Sequence, residues 1–146
     1  QEWAPIILVR QHLQLPQVLA LYRLAHVCVV SSLHDGMNLV AKEYLAAKND
    51  EEGVLVLSKF TGAARELDQA LQINPYDTEI FADTLDLALA MTREERRSRM
   101  RALRDVVEQN NIYRWAGKVL STLTALHDES TAIRHDVNEG FPPTAP

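Results

Sequence analysis

The sequence predicts an α/β protein built on a parallel sheet. Two apolar runs, Val27-Cys28-Val29-Val30 and Val54-Leu55-Val56-Leu57, are unbroken rather than alternating, as strands buried on both faces of a parallel sheet are. Leu39 to Lys48 lies between them with helical character, which makes a β-α-β unit whose crossover is expected to be right-handed. Joining the first run to that helix is Ser32-Leu33-His34-Asp35-Gly36-Met37-Asn38, a tight turn into a helix N-terminus. In open α/β sheets ligands bind at the carboxyl ends of the strands. A helix N-terminus there offers free N–H groups and a partial positive charge, suited to a phosphate or a sugar oxygen.

Taken in order, Ile6-Ile7-Leu8-Val9 after Pro5 predicts a first strand. Gln11 to Leu15 is a connector. Pro16 suits the first turn of a helix, and Val18, Leu19, Leu21, Tyr22 and Ala25 follow at helical spacing. The Val27 strand, the Asp35 turn and the Leu39 helix come next, then a polar turn from Asn49 to Gly53 and the Val54 to Ser58 strand. Ser58 to Gly62 is a second strand-to-helix loop, and Ala63 to Leu71 reads as a short helix. Ile73 to Asp77 is an extended piece ending in a turn, where Asp77 or Thr78 caps a helix from Glu79 to Met91. Thr92 and Glu95 form a capping box that opens a charged helix to about Glu108. Asn110-Asn111 interrupts it, and a last helix runs from Ile112 to about Leu126 with Trp115, Val119, Leu120 and Leu123 on its apolar side. Periodicity ends at His127, and Gly140, Pro142, Pro143 and Pro146 mark a disordered tail. The expected division is therefore an ordered domain over 1–126 and a tail over 127–146. The Val27, Val54 and Ile112 elements are expected in the core, unless the last helix crosses to another domain and leaves Trp115 partly exposed.

Composition narrows the function. A chain of 146 residues, 47% apolar and 24% charged, is one ordinary globular domain. A net charge of −5, with no basic stripe interleaved with aromatics, argues against nucleic acid. No apolar run approaches the ~20 residues that cross a bilayer and no signal peptide opens the chain, so a cytoplasmic protein without a membrane partner is expected. Cys28, the single cysteine, reads as a small core residue. The opening Gln1-Glu2-Trp3 lacks a methionine, as a fragment does.

The chemistry concentrates in one place. There is no G-x-S-x-G, no P-loop and no G-x-G-x-x-G. His12, His26, His34, His127 and His135 have no zinc-ligand spacing, so no metal site is expected. Asp35 and Asn38 can each act as an N-cap, and Gly36 allows a sharp turn or a close approach to a ligand. Glu43 shares a helix face with Leu39 and could accept two hydrogen bonds from a diol such as a ribose; a solvated helix glutamate is the ordinary alternative. His34 and Lys42 read as residues behind the ligand-contacting ones, Lys42 pairing with a nearby carboxylate. Arg65 and Glu66 either line the same crevice or form a surface pair. Arg93, Arg96, Arg97, Arg99, Arg101 and Arg104, interleaved with acids, predict a solvated helix face.

Asp35-Gly36-Met37-Asn38-Leu39-Val40-Ala41-Lys42-Glu43-Tyr44 resembles the donor-binding signature of the trehalose-6-phosphate synthase family. Ala20-Leu21-Tyr22-Arg23 before it is similar to the family pattern, as are Gly53 to Leu67, Asn74-Pro75-Tyr76-Asp77 and Met91 to Arg97 after it. The resemblance covers about Trp3 to Leu126. It implies a Rossmann-like parallel sheet flanked by helices, the carboxyl-terminal half of the second domain of a B-type glycosyltransferase. It also implies a reaction that moves glucose from UDP-glucose to glucose-6-phosphate with retention, without a metal or cofactor.

On the same resemblance, Asp35 would bond hydroxyls of the donor glucose, and the N–H groups of Gly36, Met37 and Asn38 would serve the sugar. Leu39 and Val40 would offer backbone groups to the UDP, and Glu43 would hold the ribose hydroxyls. His34 departs from the arginine many members carry. The base-contacting segment would fall near Gln11 to Leu15, where the match is weak. The basic pair for the diphosphate and the acceptor-phosphate site belong to parts upstream of Trp3. The isolated chain is thus expected to be inactive, and a homo-oligomer of the full-length enzyme is compatible with the family. Two alternatives stand beside this reading: a non-catalytic regulatory or structural relative, and a sister synthase with another acceptor, such as a glucosylglycerol-phosphate synthase.

Overall fold

A computed structural model of the chain describes residues 5–139, with side chains described through 127. The backbone divides into two compact units between residues 107 and 108. In the first unit, strands β1 (Val27–Val30), β2 (Val54–Ser58) and β3 (Leu71–Ile73) form a parallel sheet in the order β1-β2-β3. Val27 lies opposite Val54 and Val30 opposite Leu57, while Val56 faces Leu71 and Ser58 faces Ile73.

The central strand β2 is buried along its whole length, which explains its unbroken apolar composition. Its side chains alternate between two cores. Leu55 and Leu57 join Val30, Leu67, Met100 and Leu103, together with Ala41, Tyr44 and Leu45 of α2 (Leu39–Ala47). Val54 and Val56 join Ile73 with Ala88 and Met91, at the end of α3 (Thr78–Ala90). Each fully buried leucine contributes about 1.5–3 kcal/mol relative to exposure. Helix α1 (Leu15–Leu24), with Pro16 in its first turn, buries no residue fully but packs Tyr22 against the first core.

Helix starts follow the predicted chemistry. The Asp77 carboxylate accepts from the Ile80 N–H at 3.1 Å, and Thr92 Oγ1 accepts from the Glu95 N–H at 3.3 Å. The Glu95 carboxylate pairs with Arg99 at 3.0 Å instead of reaching back to close the capping box.

Two local expectations are corrected. Ile6-Ile7-Leu8-Val9 belongs to no strand and is exposed, since β1 pairs only with β2 among the described residues. An apolar run becomes a strand only where a sheet edge receives it. The helix expected over Ala63 to Leu71 is a single 3₁₀ turn, Gly62–Arg65, and Leu71 already belongs to β3. Residues 59–70 are the whole crossover between β2 and β3, close to the minimum of about a dozen for a parallel connection. No room is left for a longer helix.

The arginines of α4 (Arg93–Gln109) fit the expected solvated face in part: Arg93 and Arg101 are exposed, while Arg96, Arg97, Arg99 and Arg104 are half-buried. Arg93, Arg96 and Arg97 converge on the Glu52 carboxylate, and Arg101 reaches Glu51 at 2.7 Å. Arg104 donates to the Leu45 carbonyl at 2.8 Å, and Arg99 to that of Gln69 at 3.2 Å. The charged face is turned onto the polar turn before β2 and clasps it. Hydrogen bonding from Arg93 holds the Glu52 carboxyl below its ordinary value of 4.5, despite a smaller opposing desolvation.

In the second unit, α5 runs from Ile112 to Glu139. The Asn111 side chain caps it, accepting from the Arg114 N–H at 3.1 Å. The helix passes Leu126, where its end was expected, because no proline or glycine intervenes before Gly140. The remainder of the expected tail, 140–146, lies outside the described residues. Ile112, Trp115, Leu120 and Leu123 are exposed on this helix.

Two predictions follow from these contacts. Because the folded-state pKa of Glu52 is depressed, its stabilising effect is present above about pH 4.5 and is lost as pH falls through the folded value. Urea unfolding of Glu52→Gln should show lower stability than wild type at pH 7, with the difference shrinking toward pH 3; a pH-independent difference would contradict the clasp. Trp115 is 55% exposed. In a Trp3→Phe background, acrylamide should quench its fluorescence nearly as well as free indole, and a shielded signal would show that its apolar face is covered.

Candidate functional site

Strands β1 and β2 end at the same sheet edge, and the loops that follow them are stitched together. The Asp35 N–H donates to the Phe60 carbonyl at 3.3 Å, the Gly62 N–H to the Asp35 carbonyl at 3.0 Å, and the Ala63 N–H to the Met37 carbonyl at 3.0 Å. Asp35 and Thr61 thereby form an isolated parallel bridge. A Cβ on Gly62 would collide with the Gly36 carbonyl oxygen, so only glycine permits this approach. Gly36 has open space around it and no positive φ; the left-handed residue in the turn is Asn38, at φ 68°. The sharp turn expected of Gly36 is thus made by Asn38, a residue that tolerates this region.

Asp35 organises the turn from within. Its Oδ1 accepts from the N–H groups of Met37 (3.1 Å) and Asn38 (3.0 Å), and its Oδ2 accepts from Asn38 Nδ2 at 2.9 Å. The Asn38 side-chain bond, helped by the Met37 N–H, holds the Asp35 carboxyl below its ordinary range. Asn38 Oδ1 in turn caps α2, accepting from the Ala41 N–H at 2.9 Å. The N-cap is therefore Asn38, and the Met37 and Asn38 N–H groups assigned to a sugar by resemblance are turned onto Asp35. A carboxylate offers about four acceptor positions. Three are filled, and one on Oδ2 remains for an incoming hydroxyl. The first N–H groups of a helix have no partner within it, and the Asn38 cap takes up only that of Ala41.

Along α2, Glu43 is exposed, and its Oε2 accepts from the Tyr22 hydroxyl at 3.2 Å. Lys42 pairs with Glu66 at 3.1 Å, the nearby carboxylate expected for it.

A concavity of about 490 Å³ opens beside the turn, lined by His34, Asp35, Gly36, Lys59, Phe60 and Arg65 among others. Arg65 thus lines the crevice, while Glu66 is held by Lys42. Sequence reasoning missed Lys59, which lies 5.5 Å from the centre of the Phe60 ring. The signal was available: two parallel strands ending together place the loop after the second beside the loop after the first. Asn38, Leu39 and Val40 form the neighbouring helix start and Glu43 lies a turn farther along α2, all outside the lining of this concavity. Gln14, near the expected base-contacting segment, instead opens α1, its N–H donating to Gln17 Oε1 at 2.9 Å. Among the described residues no cluster of three or more His, Cys, Asp or Glu side chains is placed to ligate a metal, and no helix is long and apolar enough to cross a membrane.

The sequence profile of glycosyltransferase family 20 matches residues 1–125 of this chain. The chain belongs to glycosyltransferase family 20. Family 20 relatives include a trehalose-6-phosphate synthase of Klebsiella pneumoniae, 43% identical over 133 residues, which covers 90% of this chain and 28% of the relative. Another, from Mycobacterium leprae, is 50% identical over 107 residues, covering 73% and 22%. Among solved structures, an Escherichia coli trehalose-6-phosphate synthase bound with UDP-2-fluoro glucose is 45% identical with a TM-score of 0.79, covering 83% of this chain and 27% of that one. A Burkholderia xenovorans α,α-trehalose-phosphate synthase (UDP-forming) in complex with glucose-6-phosphate is 44% identical with the same TM-score, covering 84% and 27%. The fold is that of the corresponding part of these B-type glycosyltransferases, and the chain spans less than a third of the length of the family 20 members it matches.

Replacing Gly62 by alanine forces the two loops apart. The expected cost is about 1–3 kcal/mol, read by urea unfolding. Wild-type stability in Gly62→Ala would mean that the Gly36 carbonyl is not held against this residue.

Proposed function

We propose that this chain is the donor-binding part of a retaining glucosyltransferase that moves glucose from UDP-glucose to glucose-6-phosphate, giving trehalose-6-phosphate and UDP. The observation that carries the reading is the start of α2. At the carboxyl end of a parallel strand it combines a loop-held carboxylate with one acceptor position open, the first N–H groups of the helix, and an exposed carboxylate farther along it. In this reading Asp35 Oδ2 accepts from a glucose hydroxyl and the Gly36 N–H serves the sugar. The N–H groups of Leu39 and Val40 meet the oxygens of the UDP, and Glu43 accepts from the ribose diol.

The glycosidic bond to the diphosphate breaks as the acceptor hydroxyl bonds to the same face of the sugar, and the hydroxyl's proton passes to the departing phosphate oxygen. Negative charge then grows on the departing UDP, where helix-end N–H groups and cations stabilise it without reorganising. Lys59 and Arg65 add positive charge beside the turn. No metal or cofactor is called for in this scheme. The acceptor, and with it the choice between this synthase and a sister enzyme, is set by parts of the protein beyond this chain. A cytoplasmic setting is in keeping with the supply of a nucleotide sugar.

One observation favours a non-catalytic relative instead: Asp35 commits three acceptor positions to its own loop. The two readings separate on substitution in the full-length protein. Asp35→Ala should lower kcat/KM by at least about 100-fold, the scale of losing one preorganised polar group at a reacting centre. Glu43→Ala should raise the KM for UDP-glucose by about 10- to 100-fold, as loss of charged hydrogen bonds does. Undiminished transfer in both variants would remove these roles, and a wild-type protein that binds no UDP-glucose by calorimetry would establish the non-catalytic reading.

A further inference from the structure

Tyr22 and Glu43 come from different helices and meet through one hydrogen bond, the phenol donating to Glu43 Oε2 at 3.2 Å. Glu43 has no cation partner among the described residues, since Lys42, its neighbour in sequence, is held by Glu66. Its only described side-chain contact is therefore a neutral donor that leaves the carboxylate charge intact. Tyr22 is itself supported. Its ring stands edge-on to Tyr44, with centroids 6.2 Å apart and planes at 78°. Tyr44 is fully buried, and its hydroxyl lies 3.5 Å from the Ala25 carbonyl. The space for that hydroxyl exists because residue 53 is glycine; a Cβ there would collide with it. A packed column thus leads from the start of β2 through Tyr44 and Tyr22 to one carboxylate oxygen. Burial first, then the bond to and the charge of Glu43, push the Tyr22 phenol up to about 12, so it stays a donor across the working pH range.

We propose that Tyr22 is a positioning residue for Glu43, holding Oε2 so that the carboxylate faces the ribose diol of a uridine nucleotide in one orientation. This rests on the reading of Glu43 as the ribose ligand. An exposed glutamate samples several rotamers and gives up that freedom on binding a ligand. A carboxylate already held by one oxygen gives up less, which is the general advantage of preorganisation. Oε1 remains open, and Oε2 keeps a second acceptor position, so both ribose hydroxyls can be served.

The test uses the full-length protein with UDP and 2′-deoxy-UDP as calorimetric probes, and UDP-glucose for kinetics. Tyr22→Phe keeps the ring and its packing on Tyr44 while removing the donor. It is expected to weaken UDP about tenfold and to leave 2′-deoxy-UDP nearly unchanged, so that preference for the ribose is largely lost. The KM for UDP-glucose should rise in parallel, with kcat changed little. In a Glu43→Gln background the same substitution should add nothing, the signature of two residues acting as one unit. If the wild type prefers UDP and Tyr22→Phe keeps that preference in full, the positioning role is overturned and the reading of Glu43 stands. If the wild type shows no preference for UDP over its 2′-deoxy form, Glu43 does not hold the ribose and both fall together.

Discussion

The candidate site depends on the backbone stitch between the loops after β1 and β2. Three hydrogen bonds, at 3.0 to 3.3 Å, join Asp35 and Met37 to Phe60, Gly62 and Ala63. A loop at the end of a strand is ordinarily the freest part of an α/β fold. Here the Asp35 backbone is used on both sides, its N–H donating to one residue of the second loop and its carbonyl accepting from another. That fixes where the Asp35 side chain starts, and its carboxylate then fixes the N–H groups of Met37 and Asn38. The left-handed Asn38 starts α2 at a set point, and through α2 the position of Glu43 follows. Placement is transmitted from the sheet to the start of α2 by backbone contacts and by two short side chains, those of Asp35 and Asn38.

The opposite side of the sheet-bearing unit is organised differently. There α4 is attached by arginines that reach carboxylates and free carbonyl oxygens around the turn before β2. Lys48, only 3% exposed, does similar work for α1, donating to the Arg23 carbonyl at 2.8 Å and to Asp50 at 3.2 Å. Long cationic side chains suit this task because their apolar stems pack while their heads satisfy carbonyls that helix ends leave unpaired. The edge that carries the candidate site is held largely by main chain and the far edge by side chains, and Lys59 and Arg65 beside the candidate site are in no ion pair among the described residues.

What was legible in the sequence was whatever local chemistry decides. The Val27 and Val54 strands and the Leu39 helix are written in residue type and spacing, and so are the helix caps to within two candidates each, of which the structure uses Asn38 and Asp77. The tight turn between strand and helix was legible too, as acid, glycine and asparagine between a strand and a helix commonly form a capping turn. What escaped was settled by distant partners. Ile6-Ile7-Leu8-Val9 has strand composition but no receiving edge, and Leu71-Gln72-Ile73 has little strand composition but lies against β2. The arginines of α4 look solvated until the acids at 51 and 52 are brought beneath them. Tyr22 reads as one more apolar position in a helical stripe, and only its hydroxyl, invisible to periodicity, leads to Glu43. Gly62 carries the largest lesson: the reason for it lies in a carbonyl of another loop.

β1 is four residues long, uncharged and apolar, with Val29 exposed, and among the described residues only one of its edges is paired. Natural sheets guard such edges with lysine, proline, a bulge or a short strand, and of these β1 has only its shortness. An edge of this kind is a row of unpaired N–H and C=O groups onto which an extended segment of another chain can add as a further strand.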